Sequence, residues 1–197
     1  MTAKLVAKCW ICGDVGTTGE HRTKRSDLRL ALGNPTQANP AYFHDAKRAN
    51  QLVRSLDAEV LKSPSRICAK CNNARTQPHD KAWEKMSEHL RSRQPPLKPG
   101  DVVRGNRIFP YDTKRHMLCV QLYFLKLFGC MICESGRPIP IDVASFASAI
   151  QSGSAHPNVY LKLGKGDRNG VGGSNLEVLS SADLQRIFAC WIGRAHV

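Results

Sequence analysis

The chain has 197 residues, 42% of them apolar, and its 29 Lys and Arg outnumber 16 Asp and Glu for a net charge of +13. That apolar share excludes a disordered chain, and the length allows one sizeable core or two small ones. The charge predicts a surface that attracts polyanions, with nucleic acid the first candidate and an anionic membrane surface the second.

The start, "MTAKLVAKCW", has no apolar run long enough for a signal peptide. A cytoplasmic setting is therefore expected, in which the eight cysteines serve as thiols or metal ligands rather than disulfides. "CWICGD" (residues 9–14) predicts a tight turn and "TTGEHRT" an extended segment. "RSDLRLALG" predicts a short helix, capped by Ser26 and closed by Gly33. Residues 34–62 are ambiguous: they fit the helical period only loosely, and strands are compatible as well. "TQPHDKAWEKMSEHLRS" is the clearest helix. Pro78 falls in its first turn, Asp80 suits the positive end of its dipole, and Trp83, Met86 and Leu90 share one face.

"RSRQPPLKPGDVVRG" (residues 91–105) has the prolines and glycines of a seam and divides the chain into 1–98 and 99–197. Beyond it, residues 116–132 predict a buried helix, shorter than a bilayer requires and interrupted by Gln121 and Lys126. "DVASFASAIQ" predicts a second helix with Asp142 as its cap. "NVYLKLG" (158–164) predicts a strand with Val159, Leu161 and Leu163 inward. "SSADLQRIFACWIG" (180–193) predicts a third helix opened by Ser180 and Asp183. The class is α+β, with a small α+β accessory domain at 99–197 whose role the residues leave open.

The strongest chemical signal is Cys9-x2-Cys12 with Cys68-x2-Cys71. Two residues between thiolates let both sulfurs reach one ion from a tight turn, and two such turns complete a tetrahedral zinc site. Between the pairs lie Glu20 and His21. After the second pair come Asn72, Asn73, His79 and Asp80 at the start of the clearest helix. If zinc gathers both turns, the carboxylate, the imidazole and the helix start converge on one spot, a set suited to one hydrated divalent cation and a free base.

At these residues the chain resembles the HNH endonucleases, in the pattern Cys-x2-Cys, an acidic residue with His, and Cys-x2-Cys-Asn leading into a helix. The resemblance covers about residues 8–93. It implies a zinc-stapled ββα-metal, treble-clef-like nuclease domain that hydrolyses phosphodiester bonds and leaves a 5′-phosphate. His21 matches the general base that takes a proton from water. Glu20 matches the neighbouring metal ligand, usually Asp in the family. Asn73 or His79, with Asn72 beside them, matches the helix-side ligand of a catalytic Mg²⁺ or Mn²⁺. The family's middle Asn usually sits in the hairpin-to-helix region before the second cysteine pair. Here only Asn50 lies in that interval, and its surroundings do not match.

Arg22, Lys24, Arg25 and Arg29 follow His21, and Arg75 and Lys81 approach from the helix. Of these, Arg22, Lys24, Arg25 and Arg75 are the expected phosphate contacts. No aromatic interleaving suited to stacking single strands is evident, so duplex DNA is the expected partner, with no membrane role and a homodimer left open. One rival is the same zinc fold gripping DNA without cutting it; another is a cytosolic thiol redox protein. Cys119, Cys130, Cys133 and Cys190 read as apolar thiols rather than a second zinc site. His44 reads as a surface residue, and "GKGDRNGVGG" (164–173) as a hairpin loop.

Overall fold

The computed structural model describes residues 7–43, 49–98, 100–135, 142–161, 177–180 and 187–190. The first cysteine turn is closed by an antiparallel bridge between Lys8 and Val15, and the Gly13 amide donates to the Cys9 carbonyl at 2.8 Å. Strand β1 (Thr18–His21) follows and pairs antiparallel with β4 (Lys62–Ile67). Thr18 lies opposite Ile67, Gly19 opposite Arg66 and His21 opposite Lys62, with an irregularity between Gly19 and His21. The second cysteine turn runs into a short π-helical segment, Lys70–Arg75, and then into helix α2 (Gln77–Ser92).

The segment between β1 and β4 folds around helix α1 (Arg25–Leu32). It includes a small hairpin of β2 (Ala41–Phe43) with β3 (Gln51–Val53) and a 3₁₀ turn at Glu59–Leu61. Leu28, Val53, Leu56, Val60 and Leu61 form its own buried cluster. Alternation over three residues is too short to announce a strand, and here the pairing of Tyr42 with Leu52 across the hairpin supplies the register. Gly33 closes α1, its amide donating to the Arg29 carbonyl. Ser26 does not cap the helix: Lys24 occupies that position without a side-chain cap, and the Ser26 hydroxyl is buried with no partner. The acid one residue on does the anchoring instead. The buried Asp27 carboxylate accepts from the Trp83 indole at 2.8 Å and the Ser87 hydroxyl at 2.7 Å, and pairs with Arg91 at 3.1 Å.

Helix α3 (Gly105–Ile108) leads into the long helix α4 (Thr113–Ser135), and Asp142 caps α5 (Val143–Ser152) by accepting from the Ala144 amide at 2.8 Å. Helix α4 extends beyond the run predicted for it. It is the one helix among the described residues long and apolar enough to cross a membrane, with 56% of its 18-residue apolar window buried inside the molecule. It packs on α2, where Trp83 stacks on Tyr123 with ring centres 5.5 Å apart and meets Phe124 edge-on at 4.9 Å. It also lies against the first cysteine turn. A Cβ on Gly129 would come within 2.2 Å of the Trp10 ring, so the indole rests where only glycine leaves room. One buried cluster therefore contains Cys9, Ile11, Ile67 and Trp83 from before residue 98 and Val120, Leu125, Phe146 and Ile150 from after it.

Two expectations for the C-terminal part change. Glu177–Ser180 (β5) pairs antiparallel with Ile187–Cys190 (β6), so the helix expected over 180–193 is replaced by strand at both of its described stretches. Ile, Phe and Cys in a four-residue apolar run suit a pleated surface as well as a helix face, and a short run does not fix the period. Residues 158–161 carry no strand: Val159 packs against the core, while Tyr160 and Leu161 are exposed. The rest of that expected strand, His44 and the glycine-rich stretch 164–173 lie outside the described residues.

Candidate functional site

The four sulfurs of Cys9, Cys12, Cys68 and Cys71 lie within 4.8 Å of one another. Tetrahedral Zn–S bonds of about 2.3 Å require sulfurs about 3.8 Å apart, and the Cys12 and Cys68 sulfurs are 3.5 Å apart. This cluster could hold a structural metal ion such as zinc. Two donors point at its sulfurs: the Cys71 amide donates to the Cys68 sulfur at 3.3 Å, and the Arg75 guanidinium donates to the Cys71 sulfur at 3.1 Å. No other group of metal-ligating side chains converges in this way among the described residues. Cys130 is buried and Cys133 exposed near the end of α4.

The two cysteine turns bring β1 and the start of α2 together. Asn72, directly after the last cysteine, donates to the Thr18 hydroxyl at 3.2 Å and ties the two elements. Glu20 is buried and faces inward. Its partner is Lys126, from the middle of α4, whose ammonium lies 3.2 Å from the Glu20 carboxylate and 2.8 Å from Asp80, with Thr76 at 3.4 Å. Lys126 is wholly buried, and its two carboxylates answer its charge. Burial raises the Glu20 pKa, and Lys126 opposes that rise. Burial would lower the Lys126 pKa, but the attraction of Glu20 and then Asp80 raises it, so the ammonium stays charged. Lys24 reaches Asp80 at 3.6 Å and Glu84 at 3.4 Å at the edge of this cluster.

His79 is buried beside the same cluster with its Nδ1 unpartnered. Burial, then the Lys126 charge, push its pKa down to about 4. Asn73 is exposed. Glu20 and His79 are thus brought to one place and Asn73 is not. The carboxylates there already hold an ammonium, which a divalent ion would have to displace. As arranged, these side chains fit Lys126 rather than a hydrated divalent ion.

His21 points to the opposite face from Glu20, as neighbours on a strand do. Its Nε2 lies 2.9 Å from the Leu56 carbonyl and 4.0 Å from Asp57. A carbonyl oxygen only accepts, so Nε2 carries the proton and Nδ1 keeps its lone pair. The side chain retains 18% of its exposure, so that lone pair belongs to a ring solvent can reach.

The cations expected to hold phosphate have partners within the molecule. Arg22 pairs with Glu134 of α4, and Arg25 with Asp57 at 2.9 Å. Lys24 and Arg75 are engaged as described above. Lys126 was the residue sequence reasoning missed. A lysine in an apolar helix was legible as an interruption, and only the fold shows which buried carboxylates it meets. Comparison of the chain with family models, with characterised proteins and with solved structures gives no match.

Proposed function

We propose that this chain is a phosphodiester hydrolase of the HNH kind, acting on DNA with His21 as general base. The observation that carries the reading is the His21 imidazole held through Nε2 by the Leu56 carbonyl. That bond fixes the tautomer and leaves Nδ1 as an oriented acceptor. Nδ1 takes a proton from water, the water oxygen bonds to phosphorus, the bond from phosphorus to the 3′-oxygen breaks, and the departing 3′-oxygen takes a proton from solvent, giving a 5′-phosphate and a 3′-hydroxyl. Two antiparallel strands followed by a helix, stapled by four cysteines, are the frame such a base needs. A catalytic divalent cation, implied by the resemblance, would compete with Lys126 for Glu20 and Asp80.

A second reading has its own support. Because Lys126 answers the Glu20 and Asp80 charges, the same zinc-stapled fold would stand as a DNA-binding module without cleavage. Supercoiled plasmid incubated with the zinc-loaded protein and Mg²⁺ or Mn²⁺ separates the two. Nicking by wild type that falls at least 100-fold in His21→Ala supports the hydrolase, on the scale of a lost general base. Equal nicking by both proteins removes His21 from the chemistry, and binding with no nicking under any divalent ion favours the module.

A further inference from the structure

We propose that residues 154–161 form a strap docked on α4 and α5 through His156, and that protonation of this imidazole releases it. Gly153, at a φ of 65° that glycine adopts freely, ends α5 and turns the chain back along it, its amide donating to the Ala149 carbonyl. His156 thereby returns to the first turn of α5, where its ring meets the buried Phe146 edge-on at 5.0 Å. Gln121 of α4 holds the strap from the other side. Its side-chain nitrogen donates to the Val159 carbonyl at 2.7 Å and the His156 carbonyl at 3.4 Å, and its oxygen accepts from the His156 amide at 3.2 Å. Val159 packs against the main core.

The hydrogen bonds assign the ring's proton. The Asn158 amide donates to Nδ1 at 3.2 Å, so Nδ1 is an acceptor and Nε2 carries the hydrogen. Nε2 donates to the Ser145 hydroxyl at 3.1 Å, which in turn donates to the Asp142 carbonyl at 2.6 Å. A serine beside a histidine is otherwise the pairing of a nucleophile with its base. Here Nε2 already bears a proton and the Ser145 proton is committed, so the pair holds the chain in place rather than attacking a substrate. A proton added at Nδ1 would set a donor against the Asn158 amide and leave both without an acceptor. Among the described residues no acid pairs with the ring. The Asp142 carboxylate accepts from the Ala144 amide, Gln121 is neutral, and residues 143–161 contain no Asp, Glu, Lys or Arg. Burial accordingly lowers the His156 pKa from its ordinary 6.5. The docked strap favours the neutral ring, so docking is complete above about pH 6.5 and is lost as pH falls through the folded midpoint.

The test is hydrogen–deuterium exchange of the full zinc-loaded chain, read by mass spectrometry across a pH series from about 7.5 to about 5 with intrinsic exchange rates divided out. The strap is readable because the Ser154, His156, Asn158 and Val159 amides all have acceptors. Its peptides should lose protection by at least about twofold at the acid end, on the rule of about tenfold for each pH unit that the folded midpoint lies below 6.5. Peptides from the middle of α4 should keep theirs, which separates local release from a global loss of stability. An asparagine can present its side-chain oxygen to the amide two residues on and cannot titrate, so His156→Asn should hold the strap equally across the series. A wild-type strap equally protected throughout, or a His156→Asn strap that loses protection as the wild type does, overturns the proposal. If the asparagine holds the strap at no pH, the wild type decides alone. Its His156 Cε1 proton resonance, identified by its absence from the variant spectrum, must titrate below 6.5 with the same midpoint as the loss of protection, and separate midpoints overturn the proposal.

Discussion

Lys126 sets the energetics of the site one residue at a time. An ammonium taken out of water is costly, and here that cost is offset by two carboxylates and a hydroxyl within hydrogen-bonding reach. Removing the ammonium leaves Glu20 and Asp80 without their shared partner in a desolvated place. Lys126→Met should therefore lower stability by about 3–5 kcal/mol in urea denaturation of the zinc-loaded protein. Adding Glu20→Gln to that variant should recover part of the loss, and a double variant no more stable than the single one would refute the charge argument. His79 gives a second prediction at this scale. Burial and the Lys126 charge push its folded pKa to about 4, below the ordinary 6.5, so the fold favours the neutral ring. Between those values the unfolded chain binds the extra proton, so the stability His79 contributes is complete above about pH 6.5 and is lost as pH falls toward 4. The loss is on the order of 3 kcal/mol. Glu20, whose pKa is raised, works in the opposite direction, so the comparison must be between wild type and His79→Leu. The variant's stability should fall less steeply between pH 6.5 and 4, and identical slopes would show that the ring does not titrate as argued.

At the scale of elements, legibility followed the strength of the local signal. Helix α2 was readable end to end because Pro78, Asp80 and the Trp83, Met86, Leu90 stripe all agree, and the helix occupies Gln77–Ser92. The Asp142 cap was readable because an aspartate ahead of an apolar run has one common use, and it caps α5. The Ser26 cap failed because the tertiary role of Asp27 sets where α1 begins. Binding Trp83, Ser87 and Arg91 of α2 outweighs a serine's local preference. β6 failed because four apolar residues have no period to read, although the glycine-rich stretch ahead of its partner β5 was itself read as a hairpin loop. At the site, the cysteine spacing was sufficient to predict the cluster of sulfurs, since knuckle geometry is local. The cation between Glu20 and Asp80 was not legible. It lies 46 residues beyond Asp80 in the chain, and nothing local in "YFLKLFG" says which acids it will meet.

At the scale of the whole molecule, the question is whether the cysteine cluster staples one small unit or the entire fold. Helix α4 touches both ends of that unit: Trp10 of the first cysteine turn rests on Gly129, and Lys126 joins the start of α2 to β1. Helix α5 reaches the first turn as well, where Gln151 donates to the Ile11 carbonyl. Cys9, Ile11, Cys68 and Cys71 are themselves members of the cluster that contains the apolar side of α4. If the four cysteines bind zinc, the ion's contribution is folding free energy, since such a site does not persist in an unfolded chain. Its loss should then propagate through the shared core beyond residue 98. The expected result is about one zinc per chain, and a single thermal transition that shifts to lower temperature when a chelator removes the metal. Far-UV circular dichroism, to which α4 contributes its 23 residues, and tryptophan fluorescence, to which Trp10, Trp83 and Trp191 contribute, should move together. The idea fails if chelation changes the fluorescence while the helical signal persists with its own later transition. α4 and α5 would then form a unit that stands without the cysteine turns, and Lys126 would be docked on the part that carries those turns rather than built into it.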